Sequence, residues 1–230
     1  MHRGKKLSER LRGILSFIVP HKSVPKVPWT ASGRWDLSPQ RVAILFAGLA
    51  LFGVGESLLV QSGIGNSPWT VFAQGLSLHT PLSIGESTFL ISAVILALWI
   101  PLGERPGFGT LSNMVIISIF LQIGVSNIPL VENNLILSIV MVLVGIGMVG
   151  IASALYITCG LGPGPRDGLM TALHNKTGIR VGRVRLFIEL LALLAGIALG
   201  GSAGIGTAMF ALFVGNSVAL AFTAVHQFSN

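Results

Sequence analysis

The sequence predicts an all-α membrane protein with six transmembrane helices, arranged as two inverted three-helix repeats. Each repeat carries a short extra helix that is re-entrant or interfacial. Three observations carry this prediction: scarce charge, six apolar stretches of spanning length, and a pattern of glycine, proline and threonine that recurs at one fixed shift. Of 230 residues, 52% are hydrophobic and 10% charged, against roughly 25% charged in soluble domains. With a mean hydropathy of +0.79, the chain lacks the polar side chains needed to cover a core in water.

Residues 1–41 differ from the rest. They form a basic arm and linker, holding nine of the fifteen lysines and arginines. That placement explains the net charge of +7 as a cytoplasmic arm near anionic lipid, and no nucleic-acid partner is expected. Leu7, Leu11, Ile14, Leu15 and Ile18 recur at helical spacing among Lys5, Lys6, Arg10 and Arg12, which predicts a short helix on the membrane surface. The run from Ile14 to Val19 is too short for a signal-peptide core, so no cleavage is expected. Pro20, Pro25 and Pro28 prevent a continuous helix in the linker. Ser38-Pro39 is an N-cap followed by proline in the first turn, and starts the first span.

Six apolar stretches follow, at about 42–60, 84–102, 108–125, 135–157, 182–200 and 204–225. Each approaches the ~20 residues that cross a ~30 Å hydrocarbon layer, and each satisfies its backbone polar groups within the helix, as lipid requires.

Shifted by 97 residues, the chain aligns on itself without a gap. Gly48, Gly53, Gly63, Gly65 and Pro68 meet Gly145, Gly150, Gly160, Gly162 and Pro165; Gly107, Gly109 and Thr110 meet Gly204, Gly206 and Thr207. The organisation is therefore a first repeat at 42–126, a linker and the start of the fourth span at 127–139, a second repeat at 140–225, and a tail at 226–230. Three crossings per unit invert the second unit relative to the first. Charge agrees independently. With the arm inside, the expected outer segments 61–83, 126–134 and 200–204 hold no lysine or arginine, so both termini are expected in the cytoplasm.

Candidate chemistry lies in the two turns and in the intramembrane acids. The turns containing Gly63, Gly65 and Pro68, and Gly162 and Pro165, each precede a short helical segment carrying Trp69 or Arg166 and Asp167. Glycine allows close backbone approach, and proline suits a helix start whose free N–H groups hold anions. No strand precedes either turn, which excludes a dinucleotide-binding loop. The segments either dip into the membrane from opposite faces or lie flat at its interfaces.

Glu56, inside the first span, has no local partner and is expected to carry a proton or cation or to contact substrate. Glu189, inside the fifth, lies four residues after Arg185 and either pairs with it or acts in function. Asn113, Gln122 and Asn216 are expected to bond between helices. Trp69 and Trp99 are expected as interface anchors, and Cys159, the single cysteine, as a small packing residue. No metal-ligand spacing and no nucleophile–base arrangement is present, so neither cofactor nor enzymatic activity is expected.

The run Cys159-Gly-Leu-Gly-Pro-Gly-Pro-Arg-Asp-Gly-Leu-Met170, with Arg185 to Glu189 and Gly204-Ile-Gly-Thr207, resembles the YczE-like branch of the YczE/YyaS/YitT membrane proteins. Ser67-Pro68-Trp69, Gln74-Gly75-Leu76 and Arg105-Pro-Gly-Phe-Gly-Thr110 extend the resemblance to the first half, over about 38–223. It departs at Thr70, where an aspartate is common. The resemblance implies a multi-pass protein of the bacterial inner membrane, in a family without an established substrate. A permease or exporter of a small molecule is the expected function. A non-transporting accessory that binds a partner protein or lipid is the alternative. Acids lining a water-accessible cavity would favour the first, and a filled core the second.

Overall fold

The computed structural model describes residues 24–228, so the expected surface helix of the arm lies outside the described residues. Eight helices follow one another: α1 (Pro39–Gln61), α2 (Pro68–Ser77), α3 (Ile84–Leu102), α4 (Phe108–Asn127), α5 (Leu135–Thr158), α6 (Pro165–Thr177), α7 (Val181–Ala198) and α8 (Ile205–Phe228). Local chemistry sets their starts. The Ser38 hydroxyl accepts from the Arg41 N–H at 3.3 Å, with Pro39 in the first turn. Ser83 and Glu86 close a capping box, and the Asn134 side chain accepts from the Leu137 N–H at 3.0 Å.

Among the described residues five helices are long and apolar enough to cross a membrane: α1, α3, α4, α5 and α8. The expected span at 182–200 is helical as α7, but Arg183, Arg185 and Glu189 keep it below that measure. Outward-facing side chains such as Leu186, Phe187, Leu194 and Leu212 are exposed, as suits a surface in contact with lipid rather than water.

The two halves hold each other by contacts made twice. Gly206 N–H donates to Ile64 O at 2.9 Å, and Gly109 N–H, 97 positions earlier, donates to Leu161 O at 2.8 Å. Gly204 N–H donates to Thr207 Oγ1, and Gly107 N–H to Thr110 Oγ1, both at 3.1 Å. In each half the turn before the last helix thus binds the turn before the other half's short helix, 204–206 on 63–65 and 107–109 on 160–162. Along the centre α1 packs on α5, flanked by α4 and α8 respectively. Gly53 lets α4 approach α1, and the matching Gly150 lets α8 approach α5. The short helix α2 packs on α7, and α6 on α3. One pairing is unequal. α3 packs along α4, whereas the corresponding α7 and α8 hardly touch.

Residues 24–38 are not helical, as the prolines predict, but they are a fitted strap rather than a loose tether. Ala31 N–H donates to Cys159 O at 2.9 Å, the Thr30 hydroxyl to Thr158 O at 3.0 Å, and Arg41 Nε to Trp29 O at 2.7 Å. Asp36 accepts from the N–H and hydroxyl of Ser32 and pairs with Arg41 at 3.0 Å. These donors, the Ser32 N–H foremost, hold its carboxyl below the ordinary carboxylate value.

Candidate functional site at the centre of the bundle

Glu56 sits three-quarters of the way along α1, 2% exposed. Its Oε2 accepts from Ser67 Oγ and Thr70 Oγ1, each at 2.7 Å. Ser67 is the N-cap of α2 and Thr70 lies in its first turn, so the carboxylate rests at the positive end of a helix. Its other oxygen, Oε1, is buried and has no partner among the described residues. Such groups are rare because desolvation costs ~1–3 kcal/mol, and more when charged.

The second short helix brings the opposite charge. Arg166, in the first turn of α6, stacks its guanidinium on Trp69 of α2, 4.9 Å from the ring centroid. It forms no ion pair among the described residues. Asp167 accepts from the hydroxyl of Tyr156 at 2.9 Å. Thr70 and Asp167 stand at the same place in the two halves. Each reaches a side chain on a long central helix, Thr70 donating to Glu56 and Asp167 accepting from Tyr156.

These groups border a cavity of about 180 Å³, several times the ~30 Å³ share of a water in the liquid. Most lining residues come in pairs at the 97-residue shift, such as Glu56 and Ser153, Thr70 and Asp167, or Ser92 and Glu189. The cavity therefore lies where the halves meet. Ile188 of α7 and Val214 of α8 border it on the side where those helices hardly touch, leaving a gap in that wall.

Eight of the expected site residues line this cavity: Glu56, Pro68, Trp69, Pro165, Arg166, Asp167, Arg185 and Glu189. Gly63, Gly65 and Gly162 do not. They occupy positive-φ turns packed on backbone of other segments: Val131 for Gly63, Gly204 for Gly65, Gly107 for Gly162. Trp99 is not an interface anchor either. It is 1% exposed, and its Nε1 donates to Pro165 O at 3.1 Å, fixing the start of α6. Gln122 does bond between helices, accepting from Gly85 N–H at 3.0 Å, while Asn113 instead lines the cavity and Asn216 is exposed. Tyr156 and Ser67 are cavity residues that the sequence did not single out as candidates, and Thr70 was marked only as a departure from the family pattern. Thr70 carried a signal, since it matches Asp167 at the repeat shift.

Arg185 and Glu189 form the expected pair, Nε to Oε1 at 2.8 Å, but the side chains are 53% and 35% exposed. Both side chains border the cavity, where access to water lowers the penalty for stranding a charge. Glu189→Gln, and the double change with Arg185→Gln, should each alter stability by less than ~1 kcal/mol. Melting temperatures of the purified variants within about 4 °C of the parent are expected; a single-variant loss of 10 °C that the double change restores would overturn this.

Residues 39–223 match the family of unknown function DUF6198. An uncharacterised protein of Haemophilus influenzae is 39% identical over 195 residues, covering 85% of this chain and 89% of the relative. The uncharacterised membrane protein YczE of Bacillus subtilis is 35% identical over 178 residues, 76% of this chain and 82% of its own. YyaS of the same organism is 26% identical over 163 residues, 70% and 81% respectively. No solved structure is significantly similar to this chain. The family match spans the helices that build the cavity, and the chain is thus a membrane protein of the YczE-like family DUF6198.

Proposed function

We propose that this protein is a permease or exporter of a small solute in the bacterial inner membrane. The observation that carries this reading is the central cavity, which brings a buried acid and an unpaired arginine to the amino ends of two short helices. Transporters place substrate where broken helices from two repeats meet near the bilayer midplane. The accessory alternative expects a filled core, whereas this core holds a cavity bordered by charged groups.

The reading includes six spans, with α7 as the fifth. Its 18 residues extend ~27 Å at ~1.5 Å each, close to the ~30 Å hydrocarbon layer. Arg183 and Arg185 then lie toward its cytoplasmic end and Glu189 faces the cavity. The second repeat is inverted, α2 and α6 dip inward from opposite faces, and both termini are cytoplasmic. Contacts made twice at one shift support a twofold relation between the halves, and the absence of lysine and arginine from 61–83, 126–134 and 200–204 supports the orientation.

Single cysteines, introduced after replacing Cys159, test topology and access together. Positions in 126–134 should react with an impermeant thiol reagent on intact cells, and positions beside Lys176 only once the membrane is opened. Cysteines at Ser92 and Ser153, which border the cavity, should react with a small reagent from either side. Reversed labelling of the loops would refute the orientation; inert cavity positions would refute permeation.

A further inference from the structure

The charges at the cavity are not equally spoken for. Arg185 is matched by Glu189 at 2.8 Å. Asp167 is matched by the Tyr156 hydroxyl and by the positive end of its own helix. Two groups are left over, and they are opposite in sign. Among the described residues Glu56 holds Oε1 without a partner, and Arg166 holds a guanidinium without an ion pair or hydrogen bond. Both groups border the cavity.

They nevertheless do not meet. Ser67 and Thr70 hold Glu56 on the α2 side, while the Trp69 ring holds Arg166 by its flat face. Opposite charges that border one cavity without pairing leave room for a bridging ligand with a donor at one end and an anion at the other. A planar guanidinium suits a carboxylate or phosphonate, and a carboxylate suits an ammonium. A ligand that is only a cation leaves Arg166 unmatched and repelled. One that is only an anion leaves Glu56 in the same position.

We infer that the cavity binds a small zwitterion of the amino-acid or betaine class, its cationic end at Glu56 and its anionic end at Arg166. This rests on the reading of the cavity as a substrate site, though not on net transport. A volume of about 180 Å³ confines the ligand to a small solute. The Arg166–Trp69 stack occupies the aromatic face, so recognition of the ligand cation falls to the Glu56 carboxylate rather than to an aromatic cage.

The test uses the full chain in lipid nanodiscs, with melting temperature as the readout. The zwitterions are glycine, γ-aminobutyrate and glycine betaine; choline serves as the cation and propionate as the anion. At least one zwitterion should raise Tm saturably, by about 5 °C at a concentration on the order of 100 Kd. Choline and propionate should bind at least about tenfold more weakly, each lacking one charged contact. Glu56→Gln and Arg166→Gln should each weaken the best zwitterion by at least about tenfold.

Should either variant fail to fold, the parent's selectivity series decides alone. Choline or propionate matching the zwitterions would overturn the inference, as would no shift from any of the five compounds. Counterflow in proteoliposomes separates the two readings. Zwitterion binding without flux keeps this inference and sinks the permease. Flux of another solute without zwitterion binding does the reverse.

Discussion

Gly168→Ala should lower the melting temperature of the detergent-purified protein by roughly 5–10 °C, because a single methyl group there has nowhere to go. A Cβ at residue 168 would lie 1.9 Å from Cζ2 and 2.3 Å from Cη2 of Trp99. The ring cannot bend away. It is 1% exposed, packed between Ala73, Ile91, Ile95 and Leu169, and bonded through Nε1 to Pro165 O at 3.1 Å. Overpacking costs ~1–3 kcal/mol, and a displaced ring also forfeits a buried hydrogen bond worth about 1 kcal/mol. For a chain of this size each kcal/mol lowers Tm by ~2–4 °C.

Trp99→Ala alone should cost about as much, ~3–5 kcal/mol, through the space it empties. Adding Gly168→Ala to that background should cost almost nothing, since the obstructing ring is gone, so the two changes should be strongly non-additive. Additive losses would show that the two residues do not touch. The contact also bears on function. Pro165 opens α6, and Arg166 and Asp167 follow it directly, so a shifted Trp99 ring moves both charged groups at the cavity.

The course of the helices was legible because backbone constraints leave their mark in residue type. A turn with positive φ at Gly63 and Gly65, or at Gly160 and Gly162, accepts little but glycine. Proline at Pro68 and Pro165 marks a helix start. Such marks survive where apolar side chains interchange freely, which is why the 97-residue shift stood out and why helix ends fell within about three residues of expectation. Glu56 stood out for a related reason: a carboxylate inside an apolar span is costly, and it lies buried at the cavity.

Side-chain direction was not legible. A helix apolar all round gives no stripe to separate core from lipid, so Trp99, at the end of α3, resembled an anchor while it is buried. The same blindness hid Tyr156, whose hydroxyl meets Asp167 across 11 positions of chain and a helix boundary. It also made the strap at 24–38 look like a free linker. Its order depends on bonds such as Thr30 to Thr158 and Ala31 to Cys159, more than 120 positions away, which no local pattern announces. The wide spacing of α7 from α8 has no counterpart in the first half, where α3 packs along α4.

Gly65→Ala and Gly162→Ala should be matched losses, each of several kcal/mol. Residue 65 has φ +120° and residue 162 has φ +112°, where a residue with a Cβ is strained by ~1–3 kcal/mol. Packing adds to this. A Cβ at 65 would sit 2.5 Å from Gly204 N and 2.8 Å from Thr207 Oγ1; one at 162 would sit 2.9 Å from Thr110 Oγ1 and 3.1 Å from Gly107 Cα. Forcing these contacts apart costs a further ~1–3 kcal/mol and strains the adjoining bonds from Gly206 to Ile64 and from Gly109 to Leu161. Gly65→Ala should be the worse of the two, since its nearest obstacle is backbone. Gly147 supplies the control. It lies within α5, where an added methyl would meet nothing inside 4 Å, so Gly147→Ala should be neutral or stabilising by ~0.5–1 kcal/mol. Thermal unfolding of the three variants checks the set. A loss at Gly65 with none at Gly162 would break the equivalence of the two turns and count against the proposed twofold relation of the halves.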